Sequence, residues 1–245
     1  MTVFDFLLLV AAGFGAGVVG FVTGLASIVS YPALLAVGLS PVSANVTNTV
    51  ALVAVGVGSV TNSHAELRKG GRSLIAQSAF AAAGGVVGAV VLLVAPEDSF
   101  EAIVPILVIL AAVAMLMQPR LRALAAQRKF PRLYPLGIFV TSVYGGYFGA
   151  GAGVIILALI MICTSESIWR ASILKSYLLG LANLVAAVLF AVLGPVHWVA
   201  ALAMAIGCFA GGWLGPPIVK VIPPNLLRVA VALCAFGLAI WLWVS

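Results

Sequence analysis

Two short polar clusters in an otherwise apolar chain contain the side chains best suited to hold a charged ligand. One is SANVTNT (43–49), the other lies in SIWRASILK (167–175), and each opens a new apolar segment. Amides, hydroxyls and ammonium groups all donate hydrogen bonds, so these side chains suit an anion. Lys175 stands out, because an ionisable side chain within an apolar zone is a functional candidate by default. The side chains expected to contact an anion are Asn45, Thr47, Asn48, Ser172 and Lys175.

Other roles for these side chains stay open at this point. Lys175 could extend its long side chain to the lipid headgroups at the cytoplasmic surface. Hydroxyls near a helix start commonly cap the helix, and capping is the stronger expectation for Ser43 and Ser172. Asn48 lies further into its helix, where contact with a ligand is the better interpretation. His64, near the end of the same apolar segment, could relay a proton or be purely structural.

The elements that must position these side chains are two glycine-rich interruptions, GFGAGVVGFVTGLAS (13–27) and GGYFGAGAG (145–153). Glycine lowers helix stability by ~1 kcal/mol relative to alanine. Irregular backbone survives at membrane depth only where it is buried in protein or lines a cavity. We therefore expect Gly24, Gly149 and Gly151 to let backbone N–H groups approach a substrate. Close packing between helices is the alternative reason for such glycines.

The composition indicates an integral membrane protein. Hydrophobic residues make up 64% of the 245 positions and charged residues only 7%, whereas a soluble domain carries about 25% charged residues. The 12 lysines and arginines lie in short runs between apolar segments, which is typical of topology signals and does not favour nucleic-acid binding. The three cysteines lie singly, so no metal site is expected. No P-loop motif is present, so we expect no cofactor and no direct use of ATP.

Hydropathy divides the chain into apolar segments, and the first and fifth of them are much longer than the ~20 residues of a spanning helix. If each overlong segment is a hairpin that enters and leaves on one side, all 12 basic residues fall at or near the cytoplasmic face. The positive-inside rule favours that topology. The segments are 1–39, 45–64, 73–95, 102–118, 133–163, 172–194, 197–219 and 226–244.

This topology predicts an all-α polytopic membrane protein with two inverted repeats. Each repeat is an overlong glycine-interrupted helical hairpin followed by three transmembrane helices. The repeats are residues 1–118 and 133–245, and a basic cytoplasmic linker at 119–132 joins them.

A weak internal duplication supports the two repeats. Gly24 precedes Ala44 by 20 residues, and Gly151 precedes Ala171 by the same distance. Inverted repeats with broken helices are typical of secondary transporters. The pattern therefore favours a carrier that works by alternating access, with its site between the two hairpins. The alternatives are an anion channel and a membrane subunit that supports a partner complex. No nucleophile motif surrounds Ser27, so an enzyme is not expected.

Glycine and proline patterns in both halves match those of a known family. They are GFVTG (20–24), PALLAVGLSPVSANVTN (32–48), GYFGAGAG (146–153) and GCFAGGWLG (207–215). With these patterns the chain resembles the TauE/SafE family of four-plus-four membrane transporters. The resemblance implies a transporter of the bacterial inner membrane that moves sulfite or a small organosulfonate such as sulfoacetate, commonly outwards. One departure is Gly-Leu-Ala-Ser at 24–27, where the family has consecutive glycines.

The resemblance and the composition together define the expected partners. They are a small anionic substrate and the lipid bilayer, with a homodimer left open and nucleic acid not expected.

Overall fold

The structure is a computed structural model that describes residues 1–61, 63, 66–67, 70–125 and 133–218. These residues form α-helices and no β-strand, as predicted. His64, residues 126–132 of the predicted linker and the predicted last segment at 226–244 lie outside the described residues. The helices are α1 (Val3–Thr23), α2 (Ser27–Ala36), α3 (Pro41–Thr61), α4 (Gly71–Val94), α5 (Glu97–Ala125), α6 (Tyr134–Tyr147), α7 (Ala152–Cys163), α8 (Ile168–Leu193) and α9 (Trp198–Ile218).

Helix length and hydropathy agree with a protein that crosses the membrane several times. Within the described residues, α1, α3, α4 and α8 are each long and apolar enough to span it. The 21 residues of α1 measure about 30 Å at 1.5 Å per residue, which matches the hydrocarbon thickness of a bilayer. In contrast, α2 has 10 residues and α7 has 12, so each covers only about half of that thickness.

The first overlong segment is a hairpin of α1 and α2. The backbone turns at Gly24, which has the left-handed φ of 83° that residues with a side chain rarely adopt. A Cβ placed on Gly20 would lie 2.8 Å from the Cβ of Ala26, and one placed on Gly15 would lie 3.6 Å from the side chain of Val29. The contacting residues are 6 positions apart close to the turn (Gly20 and Ala26) and 14 positions apart further from it (Gly15 and Val29), so α2 folds back along α1.

The second overlong segment is a hairpin of α6 and α7. Gly149 and Gly151 turn the backbone with φ values of 78° and 81°, and the Tyr144 hydroxyl donates a hydrogen bond to the carbonyl oxygen of Ala150 inside the turn. Gly137, early in α6, lies against the side chain of Leu159 late in α7. The sequence prediction of two glycine-interrupted hairpins is therefore confirmed.

Helix α9 fixes the direction of α1. A Cβ on Gly13 would lie 3.1 Å from the backbone nitrogen of Cys208, and one on Gly17 would lie 2.7 Å from that of Gly212. The later residue of α1 contacts the later residue of α9, so the two helices run parallel. The glycines allow this approach because a side chain at either position would overlap the backbone of α9.

Helix α3 also runs parallel to α9. The Thr47 hydroxyl oxygen, near the start of α3, accepts a hydrogen bond from the backbone N–H of His197 at 3.0 Å. Near the end of α3, a Cβ on Gly58 would lie 3.0 Å from the backbone nitrogen of Trp213. Because α1 and α3 share one direction, the chain between them returns to the side from which it started. A hairpin of α1 and α2 returns the chain to that side, whereas a single crossing by the first overlong segment would leave it on the opposite side.

The second half repeats this packing. A Cβ on Gly84 would lie 3.0 Å from the backbone nitrogen of Val143, and one on Gly88 would lie 2.8 Å from that of Tyr147, so α4 and α6 run parallel. Helix α4 also packs on α8, just as α9 packs on α3. Each hairpin's first arm therefore lies against a helix of the other half.

The predicted starts of the second and sixth segments are wrong by four residues each. Helix α3 begins at Pro41 rather than at position 45, and α8 begins at Ile168 rather than at position 172. The Ser40 hydroxyl accepts from the backbone N–H of Ser43, and the Ser167 hydroxyl accepts from that of Arg170. A helix starts where such a cap satisfies its first N–H groups, not where the hydropathy rises.

Candidate functional site

The tips of the two hairpins touch each other through their backbones. A Cβ on Gly24 would lie 2.6 Å from both the Cα and the carbonyl carbon of Gly153. Gly151 lies against Ala111 of α5, where an added Cβ would be 2.9 Å from the Ala111 Cβ. Only glycine leaves room for this approach, so the turns that interrupt the two hairpins also join the two halves.

A cavity of about 600 Å³, including its open mouth, lies beside the tips. Residues of α1, α2, α3, α8 and the second hairpin line it. The lining contains one basic side chain and no acidic one among the described residues. Its polar side chains are those of Ser27, Thr49, Lys175, Ser176 and Asn183, and its larger apolar ones are those of Leu52, Val55, Phe148 and Leu179.

The Lys175 side chain lies in the protein interior rather than at the headgroups. It is 1% exposed, and its Nζ donates to the carbonyl oxygens of Gly20 at 3.1 Å and Phe21 at 2.7 Å. The same nitrogen lies 5.9 Å from the centroid of the Phe21 ring. The Gly20 carbonyl oxygen also accepts from the backbone N–H of Gly24, and the last carbonyls of a helix carry its negative dipole end. An ammonium group at this position therefore stabilises the end of α1.

Asn45 makes the corresponding contact with the other hairpin. Its Nδ2 donates to the carbonyl oxygen of Tyr147, the last residue of α6, at 2.8 Å. The 127-residue offset that relates Gly24 to Gly151 also relates Gly20 to Tyr147. A side chain from each half thus binds the last turn of the first hairpin arm in the other half.

Asn48 connects α3 to the beginning of α2. It is 1% exposed, and its amide lies 3.2 Å from the hydroxyl oxygen of Ser27, the first residue of α2. The second polar atom of the Asn48 amide is buried and has no hydrogen-bond partner among the described residues. The Oδ1 of Asn45 is in the same situation.

The other predicted site residues have local roles. Thr47 supports the start of α9 through His197, and the Ser172 hydroxyl donates to the carbonyl oxygen of Ile168 in its own helix at 2.9 Å. Of the predicted residues, Gly24, Gly149 and Lys175 line the cavity. Asn48 reaches the cavity lining through Ser27, whereas the lining does not include Asn45, Thr47, Gly151 or Ser172.

The predicted site did not include four polar lining residues, which are Ser27, Thr49, Ser176 and Asn183. Asn183 lies eight residues after Lys175 in α8, and positions four and eight apart share a helix face. That spacing was a usable signal. Ser27 offered none, because its position depends on where the turn at Gly24 ends.

Comparison with known proteins gave one family and several relatives. The family model described as sulfite exporter TauE/SafE matches residues 9–242. The chain is 30% identical over 235 residues to "Probable membrane transporter protein ORF9" of Sinorhizobium sp, which covers 92% of this chain and 89% of that protein. It is 30% identical over 232 residues to "Probable membrane transporter protein YfcA" of Escherichia coli strain K12, which covers 90% of this chain and 84% of that protein. No solved structure matches the chain.

Proposed function

The chain belongs to the TauE/SafE sulfite exporter family of membrane transporters, and we propose that it is a secondary transporter of sulfite or a small organosulfonate. The anion would occupy the cavity between the hairpins and leave the cell across the inner membrane by alternating access. The observation that carries this proposal is the buried Lys175 in a cavity lining with hydroxyl and amide groups but no carboxylate among the described residues.

An anion that leaves water loses its hydration, so its site must supply an opposite charge and hydrogen-bond donors. Lys175 supplies the charge, and Ser27, Thr49, Ser176 and Asn183 supply hydroxyl and amide groups around the same space. Hydrogen bonds to a charged group are about twice as strong as those between neutral groups. The cavity lining is therefore better matched to an oxyanion than to a cation.

The helix directions support two inverted halves and alternating access. Helix α3 runs parallel to α9, and α9 follows α8 after a connection of only four residues, 194–197, which is typical of antiparallel neighbours. Helix α8 therefore runs opposite to α3, its counterpart in the first half, as two repeats of opposite orientation would require. The backbone contact between Gly24 and Gly153 then forms a thin barrier beside the site. Rocking of one group of helices against the other around such a site is the usual mechanism of these carriers.

The proposal is tested by transport into proteoliposomes and by thermal stability of the detergent-purified protein with sulfite, sulfoacetate and chloride. Bound ligand raises the melting temperature by mass action. Lys175→Gln is expected to lower the transport rate at least tenfold, and to lower at least tenfold the rise in melting temperature caused by the ligand. Lys175→Arg keeps the charge, so it should keep much of the transport and much of the stabilisation by the ligand. Arg170→Gln is the matched control, because it removes one positive charge from the same helix at a partly exposed pair with Glu166.

Three results would contradict the proposal. Transport that does not saturate with anion concentration would indicate a channel. Activity that appears only with another protein would indicate a subunit of a complex. Equal effects of Lys175→Gln and Arg170→Gln would show that the buried ammonium has no special role.

A further inference from the structure

We infer that Asn183 selects the substrate by binding a neutral polar group, which a short carbon chain connects to an anionic headgroup held by Ser176 and Lys175. The inference rests on the proposed anion transport and narrows its substrate class. That class is a singly charged oxyanion with a hydroxyl or another neutral hydrogen-bonding group at the far end of the chain.

One face of helix α8 forms a wall of the cavity. The residues of this wall are Lys175, Ser176, Leu179, Gly180 and Asn183. Their spacing of three, four and seven positions from Ser176 places them on one side of a helix. Along the wall, a cation and a hydroxyl come first, an apolar side chain and a glycine follow, and an amide comes last. A ligand lying along α8 therefore meets polar groups at both of its ends and an apolar surface between them.

The Ser176 hydroxyl is buried at this wall, with the side chain 8% exposed. Hydroxyls inside a helix often donate to the carbonyl oxygen four residues back, and those of Thr49 and Ser172 do so here. The Ser176 hydroxyl, in contrast, forms no hydrogen bond to any residue that the structure describes. It can therefore donate to an anion in the cavity without breaking a bond within the protein.

The Asn183 amide is the second polar group of the wall that has no hydrogen bond to the described residues. An amide both donates and accepts, so it suits a hydroxyl group of a ligand. Lys175 is the only charged side chain among the described lining residues. It balances one negative charge, whereas a second charge on the ligand would be buried without a partner. The group that meets Asn183 is therefore neutral.

The two halves of the chain differ at the position of this amide. An offset of 127 residues pairs three lining residues of α3 with three of α8, namely Thr49 with Ser176, Leu52 with Leu179, and Gly56 with Asn183. The first two pairs keep the hydroxyl and the apolar side chain, but the third has a glycine opposite an amide. The second polar contact therefore comes from α8 alone, and it fixes one orientation of the ligand.

The spacing of Ser176 and Asn183 sets the length of the ligand. Seven residues of a helix correspond to about 10 Å along its axis. Two hydrogen bonds of about 3 Å each take up about 6 Å of that distance, so about 4 Å remain for the ligand between its two polar atoms. A two-carbon chain between a sulfonate and a hydroxyl group fits this length, with the side chain of Leu179 beside its methylene groups.

The experiment compares 2-hydroxyethanesulfonate with 1-propanesulfonate, which has a methyl group in place of the hydroxyl. Affinities are measured from the melting temperature of the purified full chain as a function of ligand concentration. The wild type should bind the hydroxy compound at least tenfold more tightly, because a site that hydrogen-bonds a hydroxyl discriminates strongly against an analogue without one. Asn183→Leu should remove this preference and bind 1-propanesulfonate at least as tightly as the wild type does.

Ser176→Ala tests the headgroup contact. It should weaken the binding of both compounds about tenfold and leave the ratio of their affinities unchanged, because the lost hydrogen bond goes to the charged group that they share. Ser142→Ala is the matched control, because Ser142 is a fully buried serine without a partner among the described residues and lies outside the cavity lining. It should bind both compounds like the wild type.

The ratio of the two affinities separates binding from folding. Both ligands are measured on the same variant, so a general loss of stability does not change the ratio. Asn183→Ala replaces the leucine variant if that variant does not fold, and it should also lose the preference for the hydroxy compound.

The outcomes distinguish this inference from the proposed function. If the wild type binds the two sulfonates equally well, or if Asn183→Leu keeps the wild-type preference, Asn183 does not select the substrate and the transport proposal stands. If Ser176→Ala binds like Ser142→Ala, the headgroup lies elsewhere. If sulfoacetate, with its second negative charge, binds the wild type more tightly than 2-hydroxyethanesulfonate, the second group is not neutral. If the wild type binds no sulfur oxyanion in this assay and transports none, both proposals fail.

Discussion

The contact between the hairpin tips makes a quantitative prediction for Gly24→Ala. At a φ of 83° a side chain costs roughly 1–2 kcal/mol, because its Cβ approaches the next carbonyl. The new methyl group would also lie 2.6 Å from two backbone atoms of Gly153 and 2.9 Å from the nitrogen of Val154. Backbone yields less readily than a side chain, and overpacking of this kind costs about 1–3 kcal/mol. The sum is about 2–5 kcal/mol.

Gly38→Ala is the matched control for this substitution. Gly38 has a similar φ of 89°, but nothing lies within 4 Å of the position of its Cβ. It should therefore show the conformational cost alone, roughly 1–2 kcal/mol. Gly153→Ala should show the cost of the overlap alone, because Gly153 lies against Gly24 but does not have a positive φ.

The assay is thermal unfolding of the purified variants in one detergent under identical conditions. An additional 1–3 kcal/mol in Gly24→Ala over Gly38→Ala corresponds to a further fall of roughly 2–12 °C in Tm for a chain of this size. If Gly24→Ala is no less stable than Gly38→Ala, the two hairpin tips do not touch as described, and the barrier assigned to them is refuted.

Three further substitutions test the contacts around the hairpins. Asn45→Leu leaves the Tyr147 carbonyl without its side-chain donor and should lower the free energy of unfolding by about 1–3 kcal/mol; a Tm equal to that of the wild type would contradict this. Tyr144→Phe leaves the Ala150 carbonyl without its hydroxyl donor and should lower the free energy of unfolding by about 1–3 kcal/mol. Gly88→Ala would press a methyl group onto the backbone of α6 and should cost about 1–3 kcal/mol; an unchanged Tm in either variant would count against the corresponding contact.

The hairpins could be predicted from the sequence because their causes are local. A run of apolar residues too long for one span, interrupted by glycines, leaves few alternatives when the basic residues must lie on one side. Gly24 and Gly151 do turn the backbone where the interruptions occur. The helix starts could also have been predicted, because Ser40 precedes a proline and Ser167 follows Ser40 by the 127 residues that separate Gly24 from Gly151. Hydropathy alone gave helix starts that were four residues too late.

The contacts within the site could not be predicted, because they join residues distant in sequence. Lys175 meets Gly20 and Phe21 across 155 and 154 positions, and no local pattern specifies which carbonyl a lysine will reach. The sequence indicated an interior or a surface position for Lys175 equally well. Only the packing of α8 against the end of α1 decides between them.

These long-range contacts bear on how the two halves of the chain depend on each other. Lys175 of the second half binds the end of α1, and Asn45 of the first half binds the end of α6. The first arm of each hairpin also packs on a helix of the other half, α1 on α9 and α6 on α4. Neither half of the chain therefore completes its own core. Under the proposed alternating access, the bodies that move would each combine a hairpin of one half with helices of the other, with the touching glycines between them.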